Sequence, residues 1–420
     1  MSSEFEQNLE KYVDVILKVG VNLQKGQRLL IAPAVGFGSL PLELAPFVEK
    51  IVRKAYIMGA RFVEVMWDDP QIHLIRFKYA PRDSFDEIST WGRDATLEFL
   101  KKGDAILGIY AINPDLFIEQ DPELLAVVQS TLVKYYKKVS ELIIKMATNW
   151  SGISAPVDGW TEKVFPNLPP DKGKTKFWDT IFDICRVNQD DPVSSWNDHI
   201  KQLNRRINYL NKKQYATLKL KATRTELKIG LPEEHNWISG RVKSQNGIDF
   251  TLNLPTEEIA TTPHRDKTEG IVSVTKPLYI SGTLIEDFKL KFSKGEVVEV
   301  IGGKGKEFLD NIIKIDEGAR RLGEIALVPH NSPISQSGLL FYNSLIDENA
   351  ACHLALGNAY RNCFKDGEKM SDEEFKNAGG NISLIHIDFM IGSGEMDIDG
   401  ITEDGTAEAI MRKGEWAFEV

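Results

Sequence analysis

The sequence predicts an α/β domain built on a parallel sheet, followed by a strand-rich α+β domain with packed helices. Two observations carry this expectation. In the first half, short apolar runs alternate with amphipathic stretches, the strand–helix alternation of a parallel sheet. From about residue 215, alternating runs follow one another closely, broken by Gly, Asn and Pro. The change of character sets the expected domains at 1–215 and 216–420.

Along the first half, Ser3 and Glu6 have capping-box spacing, and Phe5, Leu9, Tyr12, Val13, Ile16 and Leu17 share one helical face ending at Gly20. Arg28 to Val35 is too short and too continuously apolar for a surface helix and reads as a buried strand. Leu40 to Met58 is amphipathic and closes at Gly59. Arg61 to Trp67 (strand), Ala95 to Lys102 (helix) and Asp104 to Ile112 (strand) follow. Pro122 to Met146 is a long helical pattern, and Ile153 to Val157 reads as a fourth strand. The turn Ala34-Val35-Gly36-Phe37-Gly38 offers only a GxG fragment. Without a third glycine or a phosphate-loop motif it predicts a scaffold loop, not a nucleotide site.

Trp196 to Lys212 is the expected helical connector. Beyond it come TLKLKA, TELKIGL, DFTLNLP, GIVSVTKPLYI, GTLIEDFKLKF and EVVEVIGG, with Lys294-Gly295 as a hairpin turn. Helical patterns intervene at Lys306 to Leu322 and Asp347 to Tyr360, and strand signal returns at Ile382 to Ile391.

Composition narrows the function. The 420 residues carry a formal charge of −10, which argues against nucleic acid as partner, because phosphate backbones are held by clustered Lys and Arg. Three cysteines without CxxC spacing exclude a disulfide scaffold or zinc ribbon. No apolar run reaches membrane-spanning length, and the N-terminus lacks a signal-peptide pattern, so the expected home is the cytoplasm.

Carboxylates and histidines gather in the second half. In Leu384-Ile385-His386-Ile387-Asp388-Phe389, strand alternation puts His386 and Asp388 on one side and Ile385, Ile387 and Phe389 on the other. A His beside an Asp supplies either two ligands for one divalent ion or a hydrogen-bonded pair. In Asp347 to Tyr360, read as a helix capped by Asp347, Glu348 lies in the first turn, where negative charge is favoured. His353 and Tyr360 then share a face two turns apart. Taken singly, Glu348 reads as a surface acid and Tyr360 as a packed aromatic. Glu258 closes one strand, and Glu324 opens the apolar run Ile325-Ala326-Leu327-Val328, where a buried carboxylate needs a partner or a cation.

Together PTEE, GE-IALV, DENAACH-x6-Y and H-x-D-F-M-I-G resemble the aminopeptidase T family of metallo-aminopeptidases, including the AmpS and PepS types. The resemblance runs almost the length of the chain and matches the separations between motifs. It implies a dinuclear centre of two divalent ions (Zn, Co, Mn or Mg) in the second domain. It also implies ligands Glu258, Glu324, Glu348, His353, His386 and Asp388, with Tyr360 as active-site tyrosine. One metal-bound carboxylate, Glu324 or Glu258, is the expected proton acceptor. The implied substrates are peptides with a free N-terminus, and the implied assembly is a homodimer. A related metallohydrolase acting on non-peptide amides is the alternative.

Overall fold

A computed structural model describes residues 3–34, 39–280 and 283–420. The Gly36-Phe37-Gly38 turn lies outside the described residues. The chain forms two compact units. One comprises residues up to His199 together with Arg241–Pro255, and the other Ile200–Gly240 with Thr256–Val420.

The first unit holds a five-stranded parallel sheet in the order Asn253–Leu254, Trp150–Ser154, Ala105–Tyr110, Arg28–Pro33, Phe62–Val65. Its middle strands are apolar on both faces, as parallel sheets covered by helices require. All four predicted strands are present, the fourth beginning three residues early at Trp150. The predicted helices appear as Ser3–Val15, Ala45–Ile57, Trp91–Lys102 and Pro122–Ile144. Pro70–Tyr79, Asp158–Val164 and Pro170–Ile184 go beyond the sequence reading. Pro70–Tyr79 has no buried residue and therefore no apolar stripe to detect. It is set instead by the Asp69 carboxylate, which accepts from Gln71 N at 2.9 Å, and by Pro70 in the first turn.

Helix Pro192–Lys213 leads into the second unit. There an eight-stranded antiparallel sheet runs in the order Glu296–Ile301, Lys289–Ser293, Thr268–Ser273, Thr225–Gly230, Thr217–Ala222, Asp397–Ile401, Ala407–Arg412, Glu415–Trp416. The predicted hairpin turn is present, with positive φ at both Lys294 and Gly295, the twist that a two-residue connection needs. A second antiparallel sheet has the order His386–Met390, His353–Gly357, Leu322–Leu327, Ile259–Thr261, Ile238–Ser239. Leu218, Leu220 and Leu290 of the larger sheet share one core with Ile325, Leu354 and Phe389 of the smaller.

Two helical expectations fail here. Lys306 to Leu322 is α-helical only over Lys306–Ile312, with a 3-10 turn at Gly318–Arg320, and Leu322 already opens a strand. Asp347 to Tyr360 is not one helix. A short helix, Ser344–Asp347, and a single 3-10 turn, Glu348–Ala350, give way to the strand His353–Gly357. The small residues Ala350, Ala351, Ala355, Gly357 and Ala359 suit a strand buried on both faces as well as a closely packed helix, and every residue of His353–Gly357 is buried. Asp347 is no cap: Asn343 caps the short helix, and the Asp347 carboxylate accepts from the backbone of Phe341 and Asn343.

Gly357 closes this strand at φ +107°, and a Cβ there would stand 2.1 Å from the carbonyl oxygen of Ile385. Gly357→Ala forces the His353 and His386 strands apart. Denaturant titration of the metal-free protein is expected to show a loss of about 2 kcal/mol or more. A midpoint equal to the parent's would refute this.

Candidate metal centre

The smaller sheet sorts its side chains by alternation. In register, Asp388 lies opposite Ala355, and Ala355 opposite Glu324. His353 lies opposite Ala326, and Ala326 opposite Ala260. One face therefore carries Glu324, His353, His386 and Asp388 over a floor of alanines. The other carries Ile325, Leu354, Leu356 and Phe389 into the core. Glu258 immediately precedes the strand Ile259–Thr261 and reaches the same face. Small floor residues leave the carboxylates and imidazoles free to converge above them.

They converge closely. Glu258 Oε2 lies 3.2 Å from His353 Nε2, and Glu324 Oε2 lies 3.0 Å from His386 Nε2. Two groups result, Glu258–Glu324–His353 and Glu324–His386–Asp388, and within each the ligand atoms lie within 4.8 Å of one another. Glu324 belongs to both. Among the described residues these are the only such groups. Glu348 lies outside both groups but feels the same charges, as its protonation below shows.

Each imidazole is aimed from behind. His386 Nδ1 donates to Asn358 O at 2.7 Å, and His353 Nδ1 faces Ala351 O at 3.3 Å. Both Nε2 atoms are thereby turned to the carboxylates, the arrangement in which a backbone partner sets the ligating tautomer. Asn349, fully buried, accepts from Glu257 N at 2.7 Å and donates to Leu345 O at 3.2 Å, so it fixes the Glu258 turn against the Glu348 segment. Asn358 and Asn349 were missed in the sequence reading. Their signal was an asparagine inside a run of small residues, in Glu348-Asn349-Ala350 and Gly357-Asn358-Ala359.

Tyr360 is not on a helix with His353. It follows the His353 strand, its ring 4.8 Å from that of His386. At 39% exposed it is not a fully packed core aromatic. Cys352 is buried, as expected of a core residue.

Crowding shows in the protonation equilibria. Burial, then the charges of Glu258 and Asp388, hold Glu348 well above the usual carboxylate range. Burial also raises Glu324 despite its bond to His386. Burial would raise Asp388, but the His386 charge outweighs it and the group sits low. Burial would lower His353, yet Glu258 and the other carboxylates push it up to about 10. His386 is raised well above its ordinary value against the same desolvation. The His386 charge would lower the Tyr360 phenol, but desolvation and the carboxylates together raise it, so it remains a proton donor.

Carboxylates and imidazoles gathered on one face define a metal-dependent hydrolase, and comparison with known proteins agrees. The family described as thermophilic metalloprotease (M29) matches residues 5–416. Aminopeptidase 2 of Geobacillus stearothermophilus is 43% identical over the whole of both chains. Aminopeptidase AmpS of Bacillus subtilis (strain 168) is 40% identical over 99% of each. The solved structure of wild-type AmpT from Thermus thermophilus superposes with a TM-score of 0.92 at 37% identity, covering 99% of this chain and all of its own. The chain belongs to the M29 family of metalloproteases and is a metallo-aminopeptidase with a divalent metal cofactor. Among the described residues no helix is long and apolar enough to cross a membrane.

Near neutral pH the metal-free centre holds a proton on His353, whose folded-state value of about 10 lies far above its unfolded one. A ligating imidazole must be neutral, so an incoming ion competes with that proton. Cation binding is expected to release protons and to tighten as pH rises. Calorimetry in two buffers of different ionisation enthalpy measures the release, and zero exchange would contradict this reading.

Proposed function

We propose that the chain removes the first residue from peptides bearing a free α-amine, at a dinuclear centre held by Glu258, Glu324, Glu348, His353, His386 and Asp388. The observation that carries this reading is the pair of ligand groups sharing Glu324 on one sheet face. The donor set fits two ions. Asp388 Oδ1 is buried and makes no hydrogen bond, with His386 Nε2 standing 3.4 Å away, so it is an acceptor that a cation would satisfy. Four ionised carboxylates balance two divalent charges, and two neutral imidazoles complete the shell. Oxygen and imidazole donors without thiolate suit zinc, cobalt, manganese or magnesium.

When bound, such ions supply Lewis acidity and an activated water. The chain's own groups supply the remaining roles. Tyr360, protonated and with its ring beside that of His386, donates to the oxyanion that develops on the scissile carbonyl. Glu324, the member common to both ligand groups, accepts and returns the proton, with Glu258 the other candidate. In this reading residues 216–420, apart from Arg241–Pro255 of the first unit, are the metal-binding catalytic domain and 1–215 the α/β domain. The buried Cys185, Cys352 and Cys363, none in a disulfide, accord with a reducing cytoplasm, and the family resemblance supports a homodimer.

Acetylating the α-amine of a good peptide substrate is expected to prevent cleavage, and chelation to stop turnover of the free peptide. Both are read by product chromatography. Equal cleavage of blocked and free peptides would make the enzyme an endopeptidase or a different amidase.

His386→Ala removes a direct ligand and is expected to lower metal occupancy by elemental analysis. Tyr360→Phe keeps the metals and is expected to lower kcat by about 10²–10³. A Tyr360→Phe enzyme within a few-fold of the parent would remove the tyrosine from the mechanism, and one emptied of metal would make it a ligand.

A further inference from the structure

Three chain segments meet at the end of the smaller sheet where His386 begins. Residues 315–321 lead into the Glu324 strand, Gly357-Asn358 leave the His353 strand, and 383–385 lead into the His386 strand. Leu384, in the last of these, is 85% exposed. Its side chain therefore cannot hold the segment by packing, although the ligand His386 is only two residues away.

The Asp316 carboxylate holds it instead. Oδ2 accepts from Leu384 N at 2.7 Å, and Oδ1 accepts from Ala319 N at 2.8 Å. Ser383 Oγ donates to the same carboxylate, at 2.9 Å from Oδ1 and 3.0 Å from Oδ2. Ser383 Oγ also accepts from Ile385 N at 3.3 Å. Asn358, whose carbonyl aims His386, donates its own N–H to Ile385 O at 2.6 Å and accepts from Ser383 N at 3.4 Å. Asn381 closes the junction by donating to Gly318 O at 2.8 Å and Gly357 O at 2.6 Å. Burial would raise the Asp316 carboxyl, but these donors outweigh it and hold the group below its ordinary value.

We propose that Asp316 is a positioning residue for the second ligand group: it fixes the starts of the Glu324 and His386 strands relative to each other, and so the 3.0 Å approach of their side chains. This rests on the dinuclear reading above. The carboxylate is required for a stereochemical reason. Each of its oxygens accepts a backbone N–H, from a different one of the two segments. An asparagine has one acceptor oxygen and an NH2 in place of the other, so in Asp316→Asn a donor faces a donor on one side. The junction is then released on the Glu324 side or on the His386 side.

The test is metal titration of full-length Asp316→Asn with Zn²⁺ or Mn²⁺ under a competing chelator, beside elemental analysis and the melting temperature of the metal-free protein. The expected result is a loss of about 10-fold or more in affinity for one ion of the two. The other ion and the metal-free melting temperature should stay near those of the parent. Ser383→Ala, which removes the hydroxyl bridge and leaves both backbone contacts, is expected to give a smaller loss in the same ion; it decides the matter if Asp316→Asn does not fold. Parental affinity for both ions would overturn the proposal, as would an equal loss at both ions matched by a fall in metal-free stability. A parent that binds a single ion would refute the dinuclear reading itself, a result visible before any variant is made.

Discussion

Like charges forced together out of water govern the second unit. Glu258, Glu324 and Asp388 converge on two imidazoles above a sheet whose reverse face is hydrocarbon, and Glu348 stands within reach of their field. Glu324 and His353 are buried away from the solvent that would screen them. Desolvation and mutual repulsion instead raise Glu324 and Glu348, and the imidazoles hold protons far above their ordinary range. Such an arrangement is stable only with added positive charge, first as protons and then as metal. The alanine floor, Asn358 behind His386, Asn349 at the Glu258 turn and the carboxylate under the Ser383–Leu384 turn are what that arrangement requires of its surroundings.

Much of this was legible in the sequence where a simple period operates. His386 and Asp388 alternate with Ile387 and Phe389, and the strand keeps that pattern. Buried runs of the first half were equally plain, because a parallel sheet covered on both faces writes itself as short unbroken apolar segments. Lys294-Gly295 announced its own backbone geometry.

The segment from Asp347 to Tyr360 was misread, and the reason is physical. A run of alanines, a glycine and leucines is buried on every side whether it coils or extends, so periodicity carries no information there. Only pairing with the Glu324 and His386 strands, distant in sequence, selects the extended form. The supports were hidden for a related reason. Asn358 acts through its carbonyl, which every residue possesses, and Asp316 acts on the backbone N–H of Leu384, more than sixty positions away. Residue type marks a ligand well and marks the partner of a main-chain atom poorly.

The alternation that builds the site also makes it self-checking. Were the His386 strand to slip by one position against its neighbour, Ile387 and Phe389 would stand over the alanines while imidazole and carboxylate entered the hydrocarbon layer. Neither half of that exchange is tolerable, so a mispaired chain cannot settle into a compact but inert product. Correct folding and correct assembly of the reactive face become one event. A cell's proteases would meet the failures as open chains, not as well-packed decoys competing for scarce metal.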